Sequence, residues 1–167
     1  MGLIVSLDEM QRIRTALQAG GQRVVLTNGC FDLLHRGHVV YLQKARAYGD
    51  VLVVALNSDA SVRAFKGPDR PLVHQDDRAT VLAALAAVDY VVIFDEPTAE
   101  ALVACLRPDV YVKGGDYDPS TNKPLPEAAV VRAYGGEMVF IPYLPGYSTS
   151  ILIDTILARY MIPVPRS

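Results

Sequence analysis

Short, continuous apolar runs that alternate with stretches of helical periodicity restrict the fold of this chain more than any other feature. Five runs are rich in Val, Leu and Ile, at Arg23–Thr27, Val51–Leu56, Tyr90–Phe94, Val110–Lys113 and Met138–Ile141. A strand that is apolar on both faces is typical of a parallel sheet covered by helices on both sides. The sequence therefore predicts an α/β fold, a single domain on a five-stranded, parallel, doubly wound sheet.

Helices are predicted between these runs, at Asp8–Leu17, Val39–Tyr48, Asp59–Phe65, Asp76–Ala87, Thr98–Leu106, Glu127–Tyr134 and Ser148–Tyr160. Ser6 and Glu9 have the spacing of a capping box at the start of the first helix. In the fourth helix, the spacing of Val81, Leu85 and Val88 predicts that these three side chains share the buried face.

Composition narrows the class of protein. The 167 residues, 51% of them hydrophobic, suit one globular domain, with an N-terminal helix in 1–20, a core over about 22–160 and a tail at 161–167. A net charge of −2 gives no basic field for nucleic acid, and no apolar run approaches the roughly 18–20 residues of a membrane span. Two cysteines without CxxC spacing and no signal-peptide pattern predict a cytoplasmic protein with reduced thiols, Cys105 being a core residue.

Ligands of doubly wound sheets bind beyond the carboxyl ends of the strands. Two of the three histidines, His35 and His38, follow the first predicted strand there, with Gly37 between them. Gly37 removes a side chain where the next helix begins, so that backbone N–H groups and the helix dipole can face phosphate beside the two imidazoles. Neither a P-loop nor a GxGxxG fingerprint is present. The HxGH segment therefore predicts an anion site for phosphate groups.

Two other interpretations of this segment stay open at the level of sequence. The histidines can be structural, or they can bind zinc together with Cys30 or Asp32. Asp32 is otherwise expected to hold the turn by accepting hydrogen bonds from backbone N–H groups, and Arg36 is expected to face solvent.

The segment Gly-Cys-Phe-Asp-Leu-Leu-His-Arg-Gly-His resembles the signature of the cytidylyltransferase-like nucleotidyltransferase superfamily, whose fold is Rossmann-like. Further matching motifs follow in the family's order, at Asn57-Ser58-Asp59, Lys66-Gly67, Arg70-Pro71, Arg78, Lys113–Tyr117 and Gly146–Ser150. They extend from about residue 22 to residue 157. The resemblance implies an enzyme that transfers a nucleoside monophosphate from a nucleoside triphosphate to a phosphorylated acceptor and releases pyrophosphate.

Within the superfamily, Lys113–Tyr117 and the Lys-Gly-Pro-Asp-Arg-Pro segment are most similar to D-glycero-D-manno-heptose 1-phosphate adenylyltransferases, which make lipopolysaccharide precursors. Tyr143 stands where the cytidylyltransferases for glycerol phosphate usually carry Arg, and Ser150 stands where the family usually has a second Thr. The resemblance therefore implies ATP rather than CTP, and heptose 1-phosphate as the acceptor. Glycerol phosphate or another phosphorylated alcohol as acceptor, and a non-catalytic nucleotide sensor, are the alternatives.

Because an ionised phosphate is already a nucleophile, the reaction needs positioning and charge neutralisation rather than a side-chain base. The resemblance implies four catalytic residues: His35 and His38 on the triphosphate, Lys66 on phosphates, and Arg78 on the acceptor phosphate or leaving group. Arg70 would also neutralise phosphate, and Mg²⁺ would accompany ATP. The alternative for each cation is a solvated surface charge.

The nucleotide-binding residues implied by the resemblance come from three segments. They are Gly29, Cys30, Phe31, His35, Gly37 and His38 after the first strand, Lys113, Gly115 and Asp116 after the fourth, and Gly146, Tyr147, Ser148, Thr149 and Ser150 at the last helix. Ser148 and Thr149 can instead act as helix caps alone, and Asp116 can serve the turn.

The remaining expectations concern the surface. Lys44 and Arg46 are interpreted as a solvated helix face, and Asp59 as either an N-cap or a ligand. The resemblance implies a homodimer, for which helix Asp8–Leu17 and loop 117–126 are candidate contacts.

Overall fold

The computed structural model describes residues 1–115 and 125–161, and these form one α/β unit. The strands are β1 (Leu3–Ile4), β2 (Val24–Gly29), β3 (Val51–Asn57), β4 (Tyr90–Phe94), β5 (Val110–Gly114) and β6 (Glu137–Ile141). The helices are α1 (Leu7–Ala19), α2 (Arg36–Arg46), α3 (Asp59–Lys66), α4 (Gln75–Ala83), α5 (Glu100–Leu106), α6 (Pro126–Ala133) and α7 (Thr149–Tyr160).

The sheet is parallel, but it has six strands in the order β1-β4-β3-β2-β5-β6, so the prediction of five was one short. The added strand, β1, consists of Leu3 and Ile4 only, which pair with Tyr90 and Val91 of β4. Both side chains of β1 are exposed. A strand of two exposed residues leaves no periodic signal in the sequence, and its backbone pairing at the sheet edge could not be inferred.

The strand order reverses beside β2. From β2 the chain adds β3 and then β4 on one side, and it returns to place β5 on the other side of β2. Crevices form at such a reversal, beyond the carboxyl ends of the strands, because the connections leave in opposite directions. The turn after Gly29 and the end of β5 at Gly114 therefore flank the place where a ligand site is expected.

Two apolar layers cover the sheet, as continuous apolar strands require. Val25, Leu52 and Val54 face one layer, and Leu26 and Val53 face the other. Burying this surface contributes about 25 cal/mol per Å² of apolar area removed from water. No helix within residues 1–115 and 125–161 is long and apolar enough to cross a membrane.

Helix α4 is shorter than predicted, and Val81 departs from the predicted buried face, whereas Leu85 and Val88 pack on the core as predicted but lie beyond the end of the helix. It ends at Ala83 instead of Ala87, and its buried residues are Arg78, Ala79, Leu82 and Ala83, whereas Val81 is 49% exposed. The sequence prediction placed Val81 inside because it gave no weight to a buried arginine. At the start of α1, the predicted capping box of Ser6 and Glu9 is confirmed.

Candidate functional site

A cavity of about 1180 Å³ opens at the carboxyl ends of the strands, where the strand order reverses. Most of the predicted site residues line it, namely Gly29, Cys30, Phe31, His35, Gly37, His38, Lys66, Arg70, Lys113, Gly146, Tyr147, Ser148, Thr149 and Ser150. We call this cavity the cleft. Gly115 directly follows β5 but is not part of this lining, Arg78 lies behind it, and Asp116 and Tyr117 fall outside the described residues.

The HxGH turn forms one wall of the cleft. His35 is the N-cap of α2, and its ring stacks on that of His38 with the centroids 3.9 Å apart. A Cβ on Gly37 would lie 2.9 Å from the His35 ring and 3.1 Å from Cβ of Tyr147. Glycine is therefore required here because the imidazole lies directly over the start of the helix.

Both imidazoles hold a nitrogen without a partner. Nδ1 of His35 and Nδ1 of His38 are buried and form no hydrogen bond with any described residue. Burial, together with the nearby charges of His35 and Lys66, lowers the pKa of His38 to about 4, and burial also lowers the pKa of His35. Buried polar atoms without partners are rare in folded proteins, and at a helix N-terminus they suit an anion that would also favour protonation of the rings.

Asp32 holds the turn in place from behind. Its buried carboxylate accepts hydrogen bonds from the backbone N–H groups of Leu72 and Val73 and from Nε of Arg70, at 2.7–3.0 Å. Burial alone would raise the pKa of Asp32, but these hydrogen bonds outweigh it and keep the pKa below its usual range. The structural role is confirmed, although the donors belong to residues 70–73 rather than to the turn itself.

Arg78 was expected to serve the acceptor phosphate or the leaving group, but the structure buries it outside the lining of the cleft. The residue is 1% exposed, and its guanidinium donates to the carbonyl oxygens of Val73 and Cys30 and to the Asp59 carboxylate, 2.7 Å away. Every nitrogen of this guanidinium thus has a protein partner. Asp59 is neither the N-cap of α3, which is Ser58, nor part of the cleft lining.

Cys30 and Lys66 meet at the floor of the cleft. Burial raises the pKa of the Cys30 thiol, against the opposing effect of the Lys66, Arg78 and Arg70 charges. No three His, Cys, Asp or Glu side chains among residues 1–115 and 125–161 lie close enough together to hold a metal ion. The zinc interpretation of Cys30 and the histidines therefore has no structural support.

The N-terminus of α7 forms the wall opposite the HxGH turn. Ser148 caps the helix by accepting a hydrogen bond from the N–H of Ile151 at 3.1 Å. Tyr147 contacts the HxGH side, because Nη1 of Arg36 donates to its hydroxyl at 3.3 Å and the Arg36 guanidinium lies 5.7 Å from its ring centroid. Arg36 is exposed, as expected, yet it bridges the two walls.

Sequence reasoning predicted Lys113 as a site residue but missed its polar neighbours Asn28 and Glu127, which also line the cleft. Nζ of Lys113 donates to Oδ1 of Asn28 at 3.0 Å and lies 3.5 Å from Oε1 of Glu127, which is 3% exposed. The hydroxyl of Tyr111 donates to the same oxygen of Asn28 at 2.7 Å. Lys44, interpreted as a solvated charge, also lines the cleft. We call Lys113, Asn28, Tyr111 and Glu127 the Lys113 cluster. Asn28 and Glu127 belong to different segments of the sequence, so only the fold brings the cluster together.

Tyr143 packs on the loop that follows β5. A Cβ on Gly115, whose φ is +115°, would lie 3.0 Å from the Tyr143 ring, and one on Gly114 would lie 3.1 Å from it. The paired glycines thus provide a flat backbone surface for this aromatic ring, which is otherwise 71% exposed. A side chain at residue 114 or 115 would therefore crowd the Tyr143 ring.

A model of the cytidylyltransferase-like family matches residues 26–154, which include the HxGH turn, the Lys113 cluster and the start of α7. The chain belongs to this family. The resemblance in the motifs is thereby confirmed for most of the chain.

The chain is similar in sequence to curated proteins named HldE. It is 53% identical over 157 residues to the bifunctional protein HldE of Geobacter metallireducens, an alignment that covers 94% of this chain and 31% of that protein. The HldE protein of Syntrophotalea carbinolica is 56% identical over 140 residues, covering 84% of this chain and 28% of that protein. This chain therefore spans about a third of the length of the curated relatives it matches.

Among solved structures, the chain is similar to the lipopolysaccharide core biosynthesis protein from Thermoplasma volcanium, with a TM-score of 0.62 and 26% identity. That alignment covers 74% of this chain and 99% of the other. The chain thus shares its α/β fold with a protein of known crystal structure.

The placement of Arg78 gives a first prediction. Arg78→Gln should lower the free energy of unfolding by about 3–5 kcal/mol, because it removes the buried guanidinium that pairs with Asp59 and leaves only the exposed His74 beside that carboxylate. Urea denaturation measures this change. Arg63→Gln, on the exposed side of α3, is the matched control and should stay within about 0.5 kcal/mol. An Arg78→Gln protein as stable as the parent would show that the buried ion pair is not what Arg78 provides.

The pKa of His38 gives a second prediction. Because its folded pKa of about 4 lies below the ordinary value of 6.5, the folded protein binds fewer protons than the unfolded chain between these pH values. Stability contributed by neutral His38 should therefore be complete above about pH 6.5 and decrease as the pH falls towards 4. NMR titration of the imidazole measures the pKa, and His38→Gln should flatten the unfolding free energy over this window. A measured pKa at or above 6.5 would contradict the burial argument.

Proposed function

We propose that the chain transfers a nucleoside monophosphate, AMP from ATP, to a sugar phosphate and releases pyrophosphate. The observation that carries this proposal is the pair of stacked imidazoles at the start of α2, each with a buried nitrogen that has no partner among the described residues. Imidazoles, Lys66 and two helix N-termini around one cleft suit an anion with several phosphate groups. Family membership supports the same chemistry.

In the proposed reaction, an oxygen of the acceptor phosphate attacks the α-phosphorus of ATP. The bond from that phosphorus to the bridging oxygen of the β-phosphate breaks, and pyrophosphate leaves with the electron pair. His35 and His38 would donate hydrogen bonds to the triphosphate, and Lys66 would balance charge as it builds on the leaving group. Mg²⁺ would enter with the substrate as MgATP, since the described residues offer no cluster of carboxylates around these histidines.

The nucleotide would lie between the two walls. Gly29, Cys30 and Phe31 would present backbone groups to it, while Gly146–Ser150 would bind it at the start of α7. Arg70 would keep part of its guanidinium for phosphate, because Asp32 engages its Nε. We assign Arg78 a positioning role, in which it fixes the Cys30 carbonyl and the segment at Val73 instead of touching substrate.

The acceptor would occupy the side of the cleft formed by the Lys113 cluster. Lys113 supplies a positive charge, while Asn28 and the buried Glu127 carboxylate supply hydrogen-bonding groups of the kind that bind sugar hydroxyls. The relatives named HldE and the lipopolysaccharide core biosynthesis protein support heptose 1-phosphate as the acceptor. Gly115 and Asp116 stay proposed contacts of the nucleotide.

We also propose that the protein works as a cytoplasmic homodimer. Cys30 and Cys105 are free thiols, which suits a reducing compartment. Exposed apolar side chains are concentrated on α7, where Leu152, Ile156, Leu157 and Tyr160 are 36–77% exposed, rather than on the expected helix α1. A second copy of the chain would cover this face of α7.

The third prediction tests catalysis directly. His35→Ala and His38→Ala should each lower kcat by on the order of 10²-fold or more, as the loss of one donor to a charged transition state does. Pyrophosphate release with ATP and heptose 1-phosphate measures the effect, and circular dichroism confirms folding. Arg63→Ala is the matched control, because Arg63 is exposed on α3 and is not part of the cleft lining. Turnover within threefold of the parent for both variants would remove the catalytic assignment.

The fourth prediction concerns the base. With equal ATP and CTP in competition, the ADP-sugar should exceed the CDP-sugar by roughly 10- to 150-fold, the range expected when one charge-assisted hydrogen bond is absent for CTP. Tyr143→Phe, which keeps the ring on Gly114 and Gly115, should retain this preference. A product mixture dominated by the CDP-sugar would show that Tyr143 does not mark an ATP enzyme.

A further inference from the structure

A second cavity, of about 550 Å³, lies at the opposite end of the sheet, near the starts of β5 and β6. Its walls include three arginines, Arg14, Arg23 and Arg107, together with Asp109 and Tyr134. We call it the arginine pocket. The transfer reaction proposed above uses none of these residues.

Arg14 reaches this pocket from α1 and is only 7% exposed. Its Nε donates to the Leu106 carbonyl at 3.3 Å, and its Nη2 donates to the Arg107 carbonyl at 3.0 Å and to Asp109 at 3.1 Å. Its Nη1 is buried and has no partner among the described residues. A charged donor left unpaired in a buried position is costly, so this nitrogen favours an additional hydrogen-bond acceptor such as water or an anion.

Tyr134 presents a second group of the same kind. Its hydroxyl is also buried without a hydrogen-bond partner in the described part of the chain. Burial raises the pKa of Tyr134 to about 12, against the opposing charges of Arg107 and Arg14, so the hydroxyl stays protonated and can donate. The Arg107 guanidinium lies over the same ring, 5.3 Å from its centroid. Arg14, Arg107 and Tyr134 thus bring three donor-bearing side chains to the lining of one pocket.

The charge of the pocket favours an anion. Asp109 is already engaged by Arg14 and by the backbone N–H of Val24, and Glu137 pairs with Arg23. Arg107 forms no ion pair within residues 1–115 and 125–161. The arginines therefore outnumber the carboxylates of the pocket, and one positive charge is left without a partner.

We propose that the arginine pocket binds a small oxyanion, a phosphate or a carboxylate group, through Nη1 of Arg14, the Tyr134 hydroxyl and the Arg107 guanidinium. The guanidinium groups can only donate hydrogen bonds, and the phenol hydroxyl can donate one to an oxygen. The site is separate from the cleft, since the two cavities share no lining residue and lie at opposite ends of the strands.

Amide NMR titrations of the full chain with inorganic phosphate, and separately with acetate, test this proposal. The amide signals of Gly135, Gly136 and Glu137 should shift saturably with at least one anion, and those of Gly37 and Thr149 report binding in the cleft independently. The anion that saturates the pocket signals identifies the group that the site prefers.

Two variants separate binding from folding. Arg107→Gln and Tyr134→Phe should each weaken binding at the pocket by on the order of 10-fold, the effect of losing one hydrogen bond to a charged group. Arg12→Gln, exposed on the same helix as Arg14, should leave it unchanged. Shifts confined to Gly37 and Thr149, or equal affinity in all three variants, would overturn the proposal and show that water alone satisfies Arg14 and Tyr134.

Discussion

The buried carboxylate of Asp32 is the interaction on which the arrangement of the cleft depends. It joins the turn after β2 to residues 70–73, and Arg78 joins the same two segments from below through the Cys30 and Val73 carbonyls. Phe31, with φ at 42°, lies in a strained left-handed conformation between them. Such a turn persists only where neighbouring contacts enforce it, and here two buried charged residues do so.

Fixing the turn in this way has a direct electrostatic consequence. The rings of His35 and His38 are held stacked at the start of α2, where burial lowers the pKa of both imidazoles. An entering anion can then receive hydrogen bonds, or a shared proton, without displacing a protein partner. Preorganised donors of this kind act without reorganisation as charge develops during a reaction.

Sequence patterns were sufficient for features that depend on local spacing. The positions of the five longer strands along the chain and the capping box at Ser6 could be inferred in this way, whereas the motif segments around the cleft were identified by their resemblance to a known family. What failed depends on tertiary contacts. Strand β1 is defined only by its backbone pairing with β4, which has no sequence signal. Arg78 can be buried because Asp59 and the Cys30 carbonyl accept hydrogen bonds from its guanidinium, and both contacts depend on the tertiary fold. The Lys113 cluster likewise joins residues that are 14 and 85 positions apart.

A crystal structure of the chain with a non-hydrolysable ATP analogue and Mg²⁺ would test the central claim most directly. The account predicts phosphate oxygens within hydrogen-bonding distance of His35 and His38, the base beside the start of α7, and an Arg78 guanidinium that still binds Asp59 and touches no ligand. An analogue bound elsewhere, or phosphates held by Arg78 while both imidazole nitrogens stay without partners, would contradict it.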